Sequence, residues 1–262
     1  MDIIVCMKQV PGTARVDIDE NTGVLKREGV EAKMNPYDLY AIETAVRLRE
    51  EYGGTVRAVT MGPLQAREIL KEAFMMGADE CALLSDKALA GADVLATSYA
   101  LSGFIKKLGL FDLIICGKQT TDGDTAQVGA ETAEFLDIPH ASNVVRIVGV
   151  CGGLIRVEVD MSDCILVQDI PFPCLLTVEK DIFTPRLPSY RKKLESAEKE
   201  IRVFTLEQLD DRDPEHYGLN GSPTRVERVF PPDASTVRVT VDGTGEEIAE
   251  YLYEKLRENK FV

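Results

Sequence analysis

Phe111-Asp112-Leu113-Ile114-Ile115-Cys116-Gly117-Lys118-Gln119-Thr120-Thr121-Asp122-Gly123-Asp124-Thr125-Ala126-Gln127-Val128-Gly129 decides how this chain is read. Phe111–Cys116 is a short β-branched run, the pattern of a strand buried on both faces. A polar, glycine-bearing turn follows it, and Ala130–Asp137 then reads as a helix. Such β–loop–α junctions are where open parallel sheets bind ligands.

Outward from this junction the same alternation recurs over the first ~180 residues, so the expected fold class is α/β, an open, mostly parallel sheet wrapped by helices. Ile3–Met7, Thr55–Met61 and Cys81–Leu84 read as further strands. Asn35-Pro36-Tyr37-Asp38 opens a helix: Asn35 is a candidate cap, Pro36 suits the first position, and Asp38 opposes the positive end. Leu39, Ile42 and Val46 make its buried stripe, and Gly53-Gly54 ends it. A second helix starts at Pro63 and carries Ile69, Leu70, Ala73 and Phe74 inward. Val94, Leu95, Leu101, Ile105 and Leu108 mark another.

After Asp137 the texture changes. Val144–Val150, Leu154–Val159, Cys164–Val167 and Leu175–Val178 read as a small antiparallel addition. Asp210–Asp233, rich in Pro, Gly and charge, reads as a linker. The tail returns to a strand (Thr236–Val241) and a helix with Ile248, Leu252 and Leu256 on one face and Thr244 as cap. Residues 1–205 are therefore expected to form the nucleotide-binding domain, and 206–262 a linker and extended C-terminal arm.

Composition narrows the function classes. The 262 residues carry a formal charge of −14, the wrong sign for nucleic acid. No apolar run approaches the ~20 residues of a spanning helix. The first residues lack the basic and apolar stretches of a signal peptide, so a cytoplasmic location is expected. Six scattered cysteines without a CxxC pair, and two histidines, argue for small buried hydrophobes rather than a metal site. No side chain stands out as a general acid or base, and no catalytic residue is nominated.

The Gly117–Gly129 turn carries the chemistry. Gly123 permits close backbone approach, Thr125 offers a hydroxyl near the helix start, and free amides there favour phosphate. Asp122 and Asp124 would repel phosphate, so they suit a ribose hydroxyl or a cap. The same residues also fit a plain polar turn before a capped helix. Neither GxGxxG nor GxxxxGK[ST] is present, so the standard dinucleotide and P-loop motifs are absent.

Several spaced motifs in order raise this reading to a family. Val5-Cys6-Met7-Lys8-Gln9-Val10-Pro11, Met34-Asn35-Pro36-Tyr37-Asp38, Met61-Gly62-Pro63, Met76-Gly77-Ala78-Asp79, the Gly117–Gly129 loop, Pro173-Cys174-Leu175-Leu176-Thr177 and Pro185–Tyr190 together resemble the small (beta) subunit of electron-transfer flavoproteins over essentially the whole chain. The resemblance implies a Rossmann-like nucleotide-binding fold and a heterodimer with a large (alpha) subunit that carries one FAD. In the housekeeping branch the small subunit holds AMP; in the electron-bifurcating branch it holds a second FAD. Asp122–Gly129 is similar to the bifurcating form, although Ala130 stands where the family usually has proline.

Carried over by resemblance, the nucleotide would contact Cys6, Lys8, Asn35, Pro36, Tyr37, Asp38 and Met61. It would also contact Gly117, Lys118, Gln119, Thr120, Thr121, Asp122, Gly123, Asp124, Thr125, Ala126, Gln127 and Val128. Phe183–Lys193 resembles the family's recognition loop for an FAD-dependent dehydrogenase, with Tyr190 as apolar anchor beside Arg186, Leu187, Arg191, Lys192 and Lys193. The implied activity is electron transfer from NADH, through the FAD held here, to ferredoxin and to the dehydrogenase. An AMP-holding carrier, or a nucleotide-binding sensor without flavin, are the competing readings.

Overall fold

The computed structural model describes residues 1–12, 32–227 and 239–262. They fall into two compact units, Met1–Glu227 and Arg228–Val262.

In chain order the first unit runs β1 (Asp2–Met7), β2 (Gln9–Pro11), β3 (Ala32–Met34), α1 (Pro36–Tyr52), β4 (Thr55–Met61), α2 (Arg67–Met76) and β5 (Glu80–Leu84). It continues with α3 (Val94–Leu108), β6 (Leu113–Gly117), α4 (Val128–Leu136), β7 (His140–Cys151), β8 (Leu154–Asp160), β9 (Ile165–Pro171), β10 (Cys174–Val178), α5 (Tyr190–Glu195) and β11 (Ile201–Phe204). Nine strands form one sheet in the order β11-β5-β4-β1-β6-β10-β7-β8-β9, and β2 pairs with β3 in a small antiparallel ribbon.

Side-chain alternation along the central strand builds the two core layers. Ile3, Val5 and Met7 face α1 and α2, meeting Ile42, Val46, Ile69 and Phe74. Ile4 and Cys6 face the other way, toward Phe104, Ile105 and Ala133 of α3 and α4. Each large side chain so buried is worth roughly 1.5–3 kcal/mol. Helix α4 approaches the sheet closely through Gly129, where a Cβ would lie 2.5 Å from Thr177 Cγ2.

Chain order reverses beside β1. The first units add β4 and then β5 on one side, after which α3 carries the chain across to β6 on the other. The crevice outside the carboxyl ends of β1 and β6 is the position where such sheets take ligands.

Several expectations need correction. Leu175–Val178 does not belong to the antiparallel addition: β10 lies parallel between β6 and β7. The addition is β7, β8 and β9, continuous with the main sheet. Its last strand is Ile165–Pro171, not Cys164–Val167. Pro63 precedes a short 3-10 turn, Leu64–Ala66, and the α-helix starts only at Arg67. An edge strand, β11, was not anticipated.

The linker expectation fails over residues 206–227, which belong to the first unit. Leu209 and Tyr217 are buried against the α3 side. The Asp93 N–H donates to Ser222 Oγ at 2.8 Å, and Thr224 N–H and Oγ1 donate to Asp93 Oδ2 at 3.0 and 2.7 Å. Charge and proline in this stretch form short turns that strap α3; they do not make a tether. Residues 228–233, and 236–238 of the expected tail strand, lie outside the described residues. Val239–Val241 is not a strand.

In the second unit, α6 (Gly245–Glu258) starts with the anticipated cap. Thr244 Oγ1 accepts from Glu247 N–H at 3.4 Å, and Glu247 Oε2 accepts from Thr244 N–H at 2.7 Å, a reciprocal capping box. No helix among the described residues is long and apolar enough to cross a membrane.

Candidate functional site

At the switch point, three chain segments meet around two buried polar side chains. Asn35 and Asp38, at the start of α1, are 0% and 4% exposed. Asp38 Oδ2 accepts the Lys8 N–H at 2.7 Å, just beyond β1. Its Oδ1 accepts from Asn35 Nδ2 at 2.9 Å. The same Asn35 amide donates to Gln119 O at 2.9 Å, and Asn35 Oδ1 accepts from Thr121 N–H at 3.3 Å. Asn35 therefore does not cap α1, as its position in the sequence predicts; no side chain caps that helix. Its amide is spent on tying the loop after β6 to Asp38 at the start of α1.

Gly117 is what lets the three segments close. A Cβ there would stand 2.6 Å from Asp38 Oδ1 and 2.7 Å from the Tyr37 carbonyl carbon. The need is close approach, with no left-handed backbone involved. Burial pushes the Asp38 carboxyl up to about 7, against hydrogen bonds from the Lys8 backbone, the Asn35 side chain and the Gly117 backbone and the attraction of the Lys8 ammonium.

Beyond this anchor the loop opens to solvent. Thr121–Gln127 is exposed, with Asp124 and Ala126 in the left-handed region at φ 53° and 56°. These two conformations cost roughly 1–3 kcal/mol each and are held by the surrounding structure. Asp124 is fixed by its own N–H on Thr120 O at 2.9 Å and by a side-chain hydrogen bond from Gln119. A Cβ on Gly123 would meet nothing nearer than Thr120 Oγ1 at 3.7 Å, so the protein leaves the space over that residue open. Helix α4 then begins at Val128 with Gln127 at its cap position and no side-chain cap bond. Its first amides are left for an outside acceptor, and the helix end favours an anion there.

Two lysines reach this edge, both paired with carboxylates. Lys8 Nζ donates to Asp122 Oδ1 at 2.8 Å. Burial pushes the Asp122 carboxyl up, but the Lys8 contact outweighs it and holds Asp122 below its ordinary value. Lys118 pairs with Glu179 just past β10. The Glu179 pairing was not legible in sequence, because β10 arrives beside β6 only through the crossover. Met61 ends β4 on the same edge, half-buried. Cys6 and Cys116 are register partners on adjacent strands, with sulfurs on one face. The Cys6 hydrogen bond and burial raise the Cys116 thiol well above its ordinary value, so it stays a neutral packing group. Of the six cysteines, Cys6, Cys81, Cys116 and Cys174 are buried and Cys151 and Cys164 exposed.

The sequence-predicted nucleotide residues thus gather on one edge of the sheet, but they divide by accessibility. Lys8, Thr121, Asp122, Gly123, Asp124, Thr125, Ala126 and Gln127 are exposed; Pro36, Tyr37, Met61, Gly117–Thr120 and Val128 are half-buried; Cys6, Asn35 and Asp38 are buried.

The expected docking segment also divides. Leu187 and Tyr190 are 87% and 74% exposed, and Leu194 joins them at 62%. Arg191 is exposed and, among the described residues, pairs with Glu195, one turn on. Arg186 is not a free docking cation. Its guanidinium donates to Glu43 Oε2 at 2.8 Å and Glu50 Oε1 at 2.7 Å, and its N–H also donates to Glu43. Burial pushes the 1%-exposed Glu43 carboxyl up, and Arg186 and Arg47 together bring it below its ordinary value. Lys192 is half-buried; burial, then Arg49 and Arg186 nearby, lower its pKa. Arg186 ties the segment to α1, a role that basic composition alone did not distinguish from partner recognition.

Comparison with known proteins places this arrangement. Residues 22–209 match the electron transfer flavoprotein domain. The chain is 41% identical to an electron transfer flavoprotein subunit beta of Clostridium acetobutylicum over 262 residues, all of both chains. It is 42% identical over 264 residues, again all of both, to the CarD subunit of the caffeyl-CoA reductase–Etf complex of Acetobacterium woodii. It is 38% identical to protein FixA of Azorhizobium caulinodans over 92% of this chain and 88% of that one.

Proposed function

Because the chain belongs to the electron transfer flavoprotein family, as a relative of its beta subunits, we propose that it holds FAD at the β1/β6 switch point, within a heterodimer with a large subunit. Electrons pass from NADH through this site to ferredoxin and to an FAD-dependent dehydrogenase, by bifurcation in the cytoplasm. The observation that carries the reading is the exposed Thr121–Gln127 loop ending at the uncapped start of α4. It offers free amides to a diphosphate and open space over Gly123 to the ligand.

The residues fit an adenine dinucleotide. The first amides of α4, with the Thr125 hydroxyl, would take the diphosphate, and Lys8 and Lys118 stand at the same edge, each paired with a carboxylate. Asp122 and Asp124 suit ribose hydroxyls. Bound FAD supplies hydride acceptance and one-electron transfer; the protein's part is to bind it, orient it and set its surroundings. The CarD relative is by name a subunit of a reductase–Etf complex, which supports a dehydrogenase as the partner of this chain. Leu187 and Tyr190 are its proposed contact. The apolar face of α6, Ile248, Leu252 and Leu256, is proposed to pack on the large subunit as part of the C-terminal arm.

Flavin counting tests the reading. The complex with its large subunit is expected to contain about two FAD, a ratio that follows from one flavin-binding site in each subunit. NADH should reduce ferredoxin when the dehydrogenase's acceptor is present. One FAD with one AMP would assign the non-bifurcating carrier, and a colourless chain binding only ATP would assign a sensor.

A further inference from the structure

Asp38 and Asn35 look, from the sequence, like ligand contacts, yet both side chains are buried and fully occupied inside the protein. The hydrogen-bond donors facing Asp38 are the Lys8 N–H beyond β1 and the Asn35 amide just before its own helix, and the backbone of Gly117, at the end of β6, packs against it and favours its ionised form. The titratable groups around it are the Lys8 ammonium, from the β1 side, and the Cys116 thiol of β6. Lys8 is itself paired with Asp122 of the loop. We propose that Asp38 is a positioning residue for the nucleotide: its carboxylate gathers Lys8, Asn35 and Gly117, and through Asn35 it sets the Gln119–Thr121 backbone that leads to the ligand-facing loop.

The inference rests on the nucleotide-binding reading and adds a dependence that reading does not contain. An ionised carboxylate has only acceptors, which matches the N–H donors of Lys8 and Asn35. Protonation puts an O–H among those donors and costs the clasp at least one bond. Burial opposes ionisation, so the balance between the two forms falls near neutral pH. The form that holds the loop is therefore gained as pH rises through about 7 and lost below it.

The test is a titration of the nucleotide-stripped heterodimer with FAD, and separately with AMP, at pH 6 and pH 8. The unmodified complex should bind its nucleotide roughly tenfold more tightly at pH 8, since the ionised fraction of a group titrating near neutrality changes about that much across the interval. Asp38→Asn presents an amide to the same donors. It should bind weakly at both values, and the pH dependence beyond the ligand's own titration, common to both proteins, should vanish. A purely structural contribution would lower affinity or melting temperature without flattening the profile.

Asn35→Ala serves if Asp38→Asn does not fold. It removes a donor that favours the ionised form, so affinity should fall at both values and the midpoint should move to higher pH. An unmodified complex with a flat profile overturns the inference while the nucleotide site stands. An Asp38→Asn complex that binds as the unmodified one does has the same effect. If neither FAD nor AMP binds, the nucleotide reading falls and the inference with it.

Discussion

The loop after β6 and the segment 183–195 are both polar surface stretches in sequence, and the fold uses them in opposite ways. In the first, buried polar side chains act inward: Asn35 and Asp38 are buried and bonded to each other and to the backbone of the neighbouring segments. What faces solvent there is polar: backbone and hydroxyl groups together with the carboxylates of Asp122 and Asp124. In the second, the charged residue acts inward, Arg186 on Glu43 and Glu50, and what faces solvent is apolar, Leu187, Tyr190 and Leu194. The difference lies in which groups are left facing solvent, polar ones in the first region and apolar ones in the second, and it is the ground for proposing a nucleotide at one and a partner at the other.

The largest effect expected from breaking this contrast is at Arg186. Arg186→Met leaves Glu43 buried without its main partner. Loss of one partner of a buried ion pair costs roughly 3–5 kcal/mol, and the partial exposure of Arg186 puts this case at the low end. Thermal or urea melting checks it. Glu43 lies below its ordinary value in the folded protein, so the pair's stabilisation is present above the unfolded carboxylate pKa and lost as pH falls through the folded one. The gap between the two proteins should accordingly narrow in acid. A variant as stable as the unmodified chain would return Arg186 to the pool of docking residues.

At the loop, Thr125→Val keeps side-chain shape and removes a donor. Loss of a hydrogen bond to a charged phosphate costs roughly 1.5–3 kcal/mol, about ten- to a hundredfold in nucleotide affinity. Gly123→Val should act in the same direction by filling the open space above the turn. Neither change should alter melting of the nucleotide-free protein, because both positions are exposed and a Cβ at Gly123 meets nothing nearer than 3.7 Å. Retention of nucleotide in both variants would move the phosphate site elsewhere on the edge.

The smallest expected effect sharpens the docking side. Tyr190→Ala removes an exposed aromatic anchor and should cost on the order of 2 kcal/mol in dehydrogenase affinity, read by surface binding or steady-state coupling. Nucleotide content should not change, because Tyr190 lies on α5 and not at the switch-point edge. Loss of nucleotide with normal docking would join the two regions functionally.

Much of this was legible in the chain itself. β-branched runs alternating with amphipathic stripes specify a parallel sheet with helices on both faces, because buried strands and one-sided helices leave few other packings. The cap at Thr244 could be read from its neighbours in the chain, since cap chemistry is local. So could the polar, exposed turn within Gly117–Gly129 and the exposure around Tyr190. Each depends on neighbours within a few residues, which is the range over which sequence spacing is also spatial spacing.

Tertiary structure alone decided the rest. Leu175–Val178 has the same local pattern whether it ends an antiparallel addition or enters the centre of the sheet; only the crossover from β9 puts it beside β6. Residues 206–227 have linker composition, and only the surface of α3 gives Leu209, Tyr217 and Asp93 the partners that hold them. Asp38 is the sharpest case. Its sequence position makes it a favourable charge at a helix start, but Gly117, 79 positions further along, closes over it. That approach removes water and turns a surface carboxylate into a buried anchor, because desolvation is set by what the fold brings near and not by what the chain places next door.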